Sequence, residues 1–260
     1  MFIDSHCHFD FPAFDADRDA CWQRARGLGL GHLIIPAVNK VRWPRVMEIA
    51  QKYPDVHFAL GLHPLYLADH QPEHIEDLRA HLQERQHVVA IGEIGLDGTL
   101  PLSRFEEQWA YFTAQLDIAL ERDLPVIIHA RKSVDQVIKA IRQRPGLRGV
   151  VHSFSGSLQQ AEQLMNQGFM LGFGGAVTWD RAKRLQAVLR ALPADVLLLE
   201  TDAPDQPGAG HARERNEPAW LAEILQQIAA IRGESHEALA NATTANALHL
   251  FKPDASGLGD

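Results

Sequence analysis

Short apolar segments alternate with longer amphipathic segments along almost the whole chain. The apolar segments are rich in Val, Ile, Leu and Phe and show little polar alternation, which is typical of parallel strands covered by helices on their outer face. This pattern predicts eight strands, at residues 2–7, 32–37, 57–60, 88–91, 125–128, 149–151, 169–173 and 196–199.

The amphipathic segments between the strands predict helices. These are residues 17–28, 43–52, 72–85, 104–121, 133–142, 158–166 and 180–191, with 218–231 and 236–249 after the last strand. Eight strand–helix alternations in 260 residues predict an α/β fold, a single (β/α)₈ TIM barrel of the metal-dependent hydrolase type over residues 1–252. Residues 253–260 are expected to form a frayed C-terminal tail. The rival, a Rossmann-like open sheet, lacks a G-x-G-x-x-G motif after the first strand.

Histidines and carboxylates follow the predicted strands where each strand ends. In a barrel these carboxyl ends form one rim, and the chemistry takes place there. Six of the eight strand ends carry such residues. The strand-end segments are Asp4-Ser5-His6-Cys7-His8, Gly61-Leu62-His63-Pro64, Gly92-Glu93-Ile94-Gly95-Leu96-Asp97, Ile128-His129-Ala130-Arg131, His152-Ser153-Phe154-Ser155-Gly156 and Glu200-Thr201-Asp202-Ala203-Pro204.

His6 and His8 are separated by one residue. With 14 histidines in the chain, chance alone gives about 0.75 His-x-His pairs, so the spacing by itself is weak support for a metal site. In a strand, however, residues two apart point to the same face, so both imidazoles are expected to face the barrel axis. Cys7 is then expected to face the helices as a small buried hydrophobe.

Each of the other rim residues has an ordinary explanation when taken alone. Glu93 is costly to bury unless it is paired, and Arg131 is a candidate partner. His129 and His152 are compatible with hydrogen-bonded core histidines, and Asp202 with a turn. Together these explanations require a separate coincidence at each strand end. A shared site is favoured, and its nitrogen and oxygen ligands suit Zn²⁺, Mn²⁺ or Mg²⁺.

Charge and cysteine content narrow the class of protein. The net charge of −8 argues against a protein that coats duplex DNA with a basic face. It is compatible with a nuclease, because bound divalent cations supply positive charge locally. Two cysteines, Cys7 and Cys21, make neither a disulfide framework nor a thiolate metal site. With no signal-peptide pattern and no apolar run of about 20 residues, we expect a cytoplasmic protein with no membrane association and no obligate protein partner.

The strand-end segments, in this order, resemble those of the TatD-related metal-dependent hydrolases and deoxyribonucleases, in particular the bacterial YjjV-type branch. Arg215-Asn216-Glu217-Pro218 matches the segment that follows in that family. The resemblance extends from end to end of the chain. It departs at Gly98, where many members carry an aromatic residue.

The resemblance implies a TIM barrel with two divalent metal ions per subunit and activity on DNA or a small phosphodiester. Carried over residue by residue, one metal would be held by His6, His8, Glu93 and Asp202. The other would be held by Glu93, His129 and His152, with Glu93 bridging the two.

The expected mechanism is activation of water by the two metals. Asp202 is the candidate to orient or deprotonate that water, and Glu93 is assigned a catalytic role as the bridging ligand. The expected enzyme is a deoxyribonuclease that acts like a 3'-5' exonuclease on single strands or ends. The candidates to bind phosphate oxygens are His63, Arg131, Ser153, Ser155 and Arg215.

Two alternatives remain at this point. One is an amidohydrolase-type enzyme that cleaves C–N or ester bonds of a small molecule. Such enzymes often bridge their metals with a carboxylated lysine at the fourth or fifth strand end, where this chain has Glu93 and His129, with Lys132 further out. The other alternative is a non-catalytic metal- or nucleic-acid-binding protein. The metal is also open, since several imidazoles suit Zn²⁺ or Mn²⁺, whereas the DNase activity of the resembled family points to Mg²⁺.

Overall fold

Eight parallel strands, paired in chain order, form the barrel in the computed structural model, which describes residues 1–83 and 88–252. The predicted TIM-barrel architecture is confirmed. The strands are β1 (Phe2–Asp4), β2 (Leu30–Pro36), β3 (Val56–Leu60), β4 (Val88–Asp97), β5 (Val126–Arg131), β6 (Gly149–Val151), β7 (Phe169–Phe173) and β8 (Leu197–Leu199).

Helices follow the strands and cover the outside of the barrel, where the larger of two apolar clusters fills the space between sheet and helices. The helices are α1 (Arg18–Gly27), α2 (Trp43–Lys52), α3 (Glu73–His81), α4 (Phe105–Arg122), α5 (Val134–Arg142), α6 (Leu158–Met165), α7 (Lys183–Ala191), α8 (Leu221–Arg232) and α9 (His236–Phe251). Among the described helices, none is both long and apolar enough to cross a membrane.

The last helix closes the amino end of the barrel. Ala247, Leu250 and Phe251 of α9 belong to the second apolar cluster, together with inward-facing strand residues such as Ile3 and Leu198. These apolar side chains fill the lower part of the barrel interior, away from the carboxyl rim where the strand-end segments lie.

The seam between β8 and β1 is joined just beyond the ends of the strands. The Ser5 amide donates to the Leu199 carbonyl at 2.9 Å. The Asp4 carboxylate accepts hydrogen bonds from the Thr201 amide at 3.0 Å and the Thr201 hydroxyl at 2.6 Å. The loops that carry the first and last strand-end segments are therefore tied to each other.

Three strand ends differ from the prediction by three residues or more. The first strand ends at Asp4, whereas the fourth and fifth continue to Asp97 and Arg131. Polar residues there remain in the sheet because they face the open rim. Gly95, at φ +147°, pairs with His129, and a side chain at Gly95 would collide with the His129 carbonyl. A glycine at this position therefore lets β4 continue alongside β5.

Several helix boundaries also differ. The predicted helix 72–85 begins at Glu73, and its predicted end at Arg85 lies outside the described residues, as does the predicted tail 253–260. The predicted helix 180–191 begins only at Lys183, after a turn. The predicted helix 218–231 opens with a separate 3₁₀ turn, Pro218–Trp220. Most of these differences are of one to three residues and leave the topology unchanged.

Candidate metal centre

Glu93 lies inside the barrel near the carboxyl rim and is only 2% exposed. One of its oxygens, Oε2, is 3.4 Å from Nε2 of His6 and 3.4 Å from Nε2 of His8. Asp202 Oδ1 lies 3.4 Å and 3.6 Å from the same two nitrogens, which are 3.4 Å from each other. Ligand atoms held tetrahedrally at about 2.1 Å from a metal are about 3.4 Å apart. This first ligand group therefore fits one divalent cation.

The other oxygen, Glu93 Oε1, faces a second set of imidazoles. It is 2.8 Å from His152 Nε2, 3.2 Å from His129 Nδ1 and 3.0 Å from His63 Nε2. The His129 and His152 nitrogens are 3.4 Å apart. All of the ion pairs of the Glu93 carboxylate with described residues are with histidines, and none is with Arg131, the alternative partner. The two oxygens of one carboxylate thus face separate ligand groups.

His6 and His8 lie in the loop after β1, so their predicted place within a strand is wrong. Their alternation survives because the loop is hydrogen-bonded like a strand: the Asp202 amide donates to the His6 carbonyl at 2.9 Å, and the His8 amide to the Ala203 carbonyl at 2.8 Å. Cys7 points the other way into the helix-side core and is fully buried, as predicted.

The tautomer of His63 separates it from the other histidines. Its Nδ1 accepts a hydrogen bond from the Leu65 amide at 3.1 Å. In the neutral ring the proton then lies on Nε2, which donates to Glu93 Oε1 at 3.0 Å. A histidine that ligates a metal through Nε2 has its lone pair there instead, so this geometry favours His63 as a hydrogen-bond donor. The sequence indicated that His63 lies at the site, since it follows the carboxyl end of β3 after only two residues, Gly61 and Leu62.

His129 has the opposite arrangement. In the neutral ring its Nε2 donates to Asp97 Oδ2 at 2.9 Å, which leaves the Nδ1 lone pair directed towards Glu93. Asp97 is itself held by the amide of Thr99 at 2.8 Å and by its hydroxyl at 2.5 Å. Burial acts to raise the pKa of Asp97, but His129 and Thr99 outweigh it and lower the pKa below its ordinary value. The carboxylate therefore stays charged and orients the imidazole.

Replacing Asp97 with asparagine should weaken metal binding by about 10–100-fold, because an amide no longer fixes which nitrogen of His129 is free. Competition between the protein and a fluorescent chelator measures this affinity. The matched control is Asp117→Asn, which removes a half-exposed carboxylate paired with Arg144 on the outer face. Equal affinities for the two variants would contradict the role given to Asp97.

Protonation in the metal-free site is set by the same contacts. Burial and the nearby His152 lower the pKa of His6 to about 4, so this ring is neutral. Burial also acts to lower the pKa of His8, but Glu93 and Asp202 outweigh it and raise the pKa to about 9. Burial acts to raise the pKa of Glu93, yet the surrounding histidines hold it well below its usual range.

Metal binding should therefore release protons. The pKa of His129 is also raised to about 9, with burial opposed by Asp97 and Glu93. Below that pH, His8 and His129 carry protons that a cation must displace, so affinity should rise from pH 6 towards pH 9 by about tenfold per pH unit for each proton displaced. Calorimetric titrations in buffers of different ionisation enthalpy count these protons. A pH-independent affinity would contradict the assignment.

Glu200 supports His152 from below. Its Oε1 accepts a hydrogen bond from the Ser153 amide at 2.5 Å and lies 3.8 Å from His152 Nδ1. Burial raises the pKa of Glu200 to about 8. A side chain at Gly172 would fall on the Glu200 carboxyl, so the glycine makes room for this buried acid.

A cavity of about 550 Å³ opens above the ligand groups towards solvent. Four of the five predicted phosphate-binding residues line it, namely His63, Arg131, Ser153 and Ser155. Phe11, Tyr66 and Phe173 add apolar walls, so the cavity combines a polar floor with aromatic sides.

Arg215 does not belong to this cavity. Its guanidinium donates to both Asp17 oxygens at 2.7 Å and 2.8 Å and to the Ala13 carbonyl at 2.6 Å, and it lies over the Phe14 ring. These contacts tie the loop after β8 to the start of α1. The expected phosphate contact at Arg215 is therefore not supported, because a local ion pair engages the side chain.

Four residues on the rim adopt left-handed backbone conformations that non-glycine residues rarely take. They are Lys132 (φ 53°), Ser153 (φ 45°), Asp202 (φ 55°) and Gln206 (φ 51°). Backbone strain of this kind is concentrated at functional sites. The Gln206 amide group donates to Asp202 Oδ2, and its oxygen accepts from the Ser153 hydroxyl at 3.0 Å. Gln206, which no sequence motif indicated, therefore helps to hold Asp202 in place.

Known proteins resemble this chain over nearly its whole length. The family model described as "TatD related DNase" matches residues 3–252. The chain belongs to the TatD family. It is 42% identical over 252 residues to the metal-dependent hydrolase YjjV of Escherichia coli K12, an alignment that covers 96% of this chain and 97% of YjjV. TatD membership makes the protein a metal-dependent hydrolase.

A solved structure and a second relative extend the comparison. The crystal structure of E. coli YjjV superposes with a TM-score of 0.93 at 41% identity, covering 96% of this chain and 98% of that one. A Cronobacter sakazakii protein named "3'-5' ssDNA/RNA exonuclease TatD" is 38% identical, with 94% of this chain and 95% of that protein aligned. The fold and the family of the chain are thus shared along nearly its whole length.

Proposed function

We propose that this protein is a phosphodiesterase, a deoxyribonuclease that removes nucleotides from single strands or ends in the 3'-5' direction with two divalent cations. The observation that carries the proposal is the orientation of Glu93, whose two oxygens face two separate ligand groups. The name of the Cronobacter relative supports the choice of a nucleic-acid substrate.

The donor set suits two cations that share one carboxylate. The first would be held by His6, His8, Asp202 and Glu93, and the second by Glu93, His129 and His152. Such cations, when bound, polarise a phosphodiester and lower the pKa of water. Mg²⁺, Mn²⁺ and Zn²⁺ are the candidates, and the imidazole content favours Mn²⁺ or Zn²⁺.

Asp202 is the residue placed to accept a proton. Its Oδ1 faces His6 and His8, while its Oδ2 is fixed by Gln206, so the carboxylate is held rigidly at the floor of the cavity. We assign to Asp202 the role of accepting a proton from the attacking water. Both oxygens of Glu93 face imidazoles, and this carboxylate would be the shared ligand of the two cations.

The remaining cavity residues are assigned to the phosphate. His63 lines the cavity, and its Nε2–H, which donates to Glu93 Oε1 in this structure, would be free for a phosphate oxygen when Oε1 holds a cation. Arg131, Ser153 and Ser155 also line the cavity. The cavity of about 550 Å³ admits a nucleotide or a strand end and is too small for a duplex. The net charge of −8 is compatible with a phosphate substrate, since bound cations would supply positive charge locally.

His63→Ala should raise KM for a phosphodiester by about tenfold or more, because a hydrogen bond to a charged oxygen is worth about 1.5–3 kcal/mol. The amount of bound metal should stay at the wild-type value. Steady-state kinetics with parallel elemental analysis measures both quantities. Loss of metal from the variant would make His63 a ligand and overturn its assignment as a donor.

The proposal is tested by offering metal-loaded protein two classes of substrate. One class is single-stranded DNA with free or blocked 3' ends, RNA and a chromogenic phosphodiester; the other is a panel of amides, lactones and carboxylic esters. We expect cleavage of the phosphodiesters, with DNA shortened only from a free 3' end. Turnover of an amide or ester without any phosphodiester cleavage would establish the amidohydrolase-type alternative instead.

A further inference from the structure

A second pocket of about 430 Å³ adjoins the catalytic cavity. Both are bounded by Ala176 and Gln206, and Gln206 is the residue that fixes Asp202. The other lining residues are Trp179, Arg181, Ala182 and Pro207. Because the two spaces share these two residues, the second pocket lies directly beside the catalytic cavity.

Trp179 forms a fixed aromatic wall of this pocket. Its ring N–H donates to the Pro207 carbonyl at 3.2 Å, and its carbonyl accepts from the Gln186 side chain at 3.2 Å. The Arg181 guanidinium lies over the ring, 4.1 Å from the centroid. The ring is only partly buried. A pre-positioned aromatic surface with a neighbouring arginine is the combination on which unpaired nucleobases stack.

The charges around the pocket fit a polyanion. Arg181, Lys183 and Arg184 are exposed at the start of α7 and form no ion pair with any residue in the described part of the chain, and Asp180 offsets only one of them. Arg131, which lines the catalytic cavity, is likewise exposed without an ion-pair partner in the described ranges. This basic stretch, in a chain of net charge −8, attracts phosphate groups to one side of the rim.

We propose that the second pocket is a stacking subsite, formed by Trp179, Arg181, Ala182 and Pro207, for a nucleotide of the single strand that lies next to the scissile bond. Its base stacks on Trp179, and a strand phosphate binds Arg181. This proposal rests on the phosphodiesterase activity proposed above. It adds a reason why the enzyme would prefer a nucleic-acid strand to a small phosphodiester. A paired base has both faces covered by its neighbours in the duplex, so the subsite selects single strands.

The test compares Trp179→Ala and Arg181→Gln with matched controls. Trp179→Phe retains an aromatic face. Arg190→Gln removes an exposed cation from the opposite end of α7. Kinetics on a single-stranded DNA oligonucleotide and on a chromogenic phosphodiester give the ratio of the two kcat/KM values. Fluorescence anisotropy of the labelled oligonucleotide, in the inactive Asp202→Asn background, gives binding independently of cleavage.

Trp179→Ala should lower both the kcat/KM ratio and the affinity for the strand by about tenfold or more, the effect of losing one stacked base. Trp179→Phe should recover most of both. Arg181→Gln should weaken binding and reduce the slope of log affinity against log salt by about 0.7, as expected for one lost phosphate contact on a single strand. Arg190→Gln should match the wild type.

The outcomes separate the two proposals. If the wild type cleaves the strand while Trp179→Ala and Arg181→Gln bind and cleave it equally well, the subsite is overturned and the phosphodiesterase stands. If the wild type cleaves no phosphodiester, but strand binding still falls in both variants, the subsite stands and the phosphodiesterase is overturned. A wild-type protein that neither binds nor cleaves the strand overturns both.

Discussion

Glu93→Gln abolishes hydrolysis, with turnover falling by at least about 10³-fold, or about 4 kcal/mol of transition-state stabilisation. The reason is that one carboxylate contacts both ligand groups, at 3.4 Å from His6 and at 2.8 Å from His152. The neutral amide removes the negative charge that the two groups share. Bound metal, measured by elemental analysis, should fall from two equivalents to one or none.

The variant should remain folded, because glutamine has nearly the same volume and the barrel core is built from apolar side chains. Circular dichroism checks this. Glu106→Gln, at an exposed position on α4, is the matched control and should behave as the wild type. A Glu93→Gln protein that keeps two metals and near-normal turnover would contradict the central place given to Glu93.

Asp202→Asn should lower kcat by about 10²–10⁴-fold at saturating metal, the range typical of losing a positioned general base. The amide cannot take up a proton at this site, although its oxygen can still face His6 and His8. KM should change little, because the phosphate contacts are assigned to other residues. Kinetics across a metal titration separate this loss of kcat from a loss of metal.

Asp195→Asn is the control for Asp202→Asn, since Asp195 is an exposed aspartate at the opposite end of β8. It should leave kcat unchanged. If Asp202→Asn recovered full turnover once metal was raised to saturation, Asp202 would be a ligand alone, and the proton-accepting role would have to pass to another group.

The barrel could be predicted from the sequence because each strand is a short apolar run with a clear helix after it. The strand ends were harder to place. β4 and β5 continue through Glu93 and His129, where a polar residue was taken as the end of a strand. A polar residue usually marks the end of a buried strand. At this rim, however, polar side chains face the ligand groups and remain within the sheet. Gly95 permits this continuation through contacts that no local pattern reveals.

The convergence of histidines and carboxylates on one rim followed from the fold, and the structure brings the predicted residues together around Glu93. The features of the site that the sequence did not predict depend on the paths of the loops. Arg215 binds Asp17 from a distant part of the chain, and Gln206 reaches Asp202 only because of a left-handed turn. Asp97 lies in one of the strand-end segments identified in the sequence, but its contact with His129 depends on the register between β4 and β5. Tertiary contacts of this kind leave no periodic signal.

Turnover of single-stranded DNA, followed as metal is added in known equivalents to metal-stripped protein, tests the two-cation site most directly. Separate titrations with Mg²⁺, Mn²⁺ and Zn²⁺ identify the effective ion. The structure predicts that activity reaches its maximum only at two equivalents per chain. Maximal activity at one equivalent would contradict a two-cation site, and two tightly bound equivalents without any cleavage would contradict the nuclease.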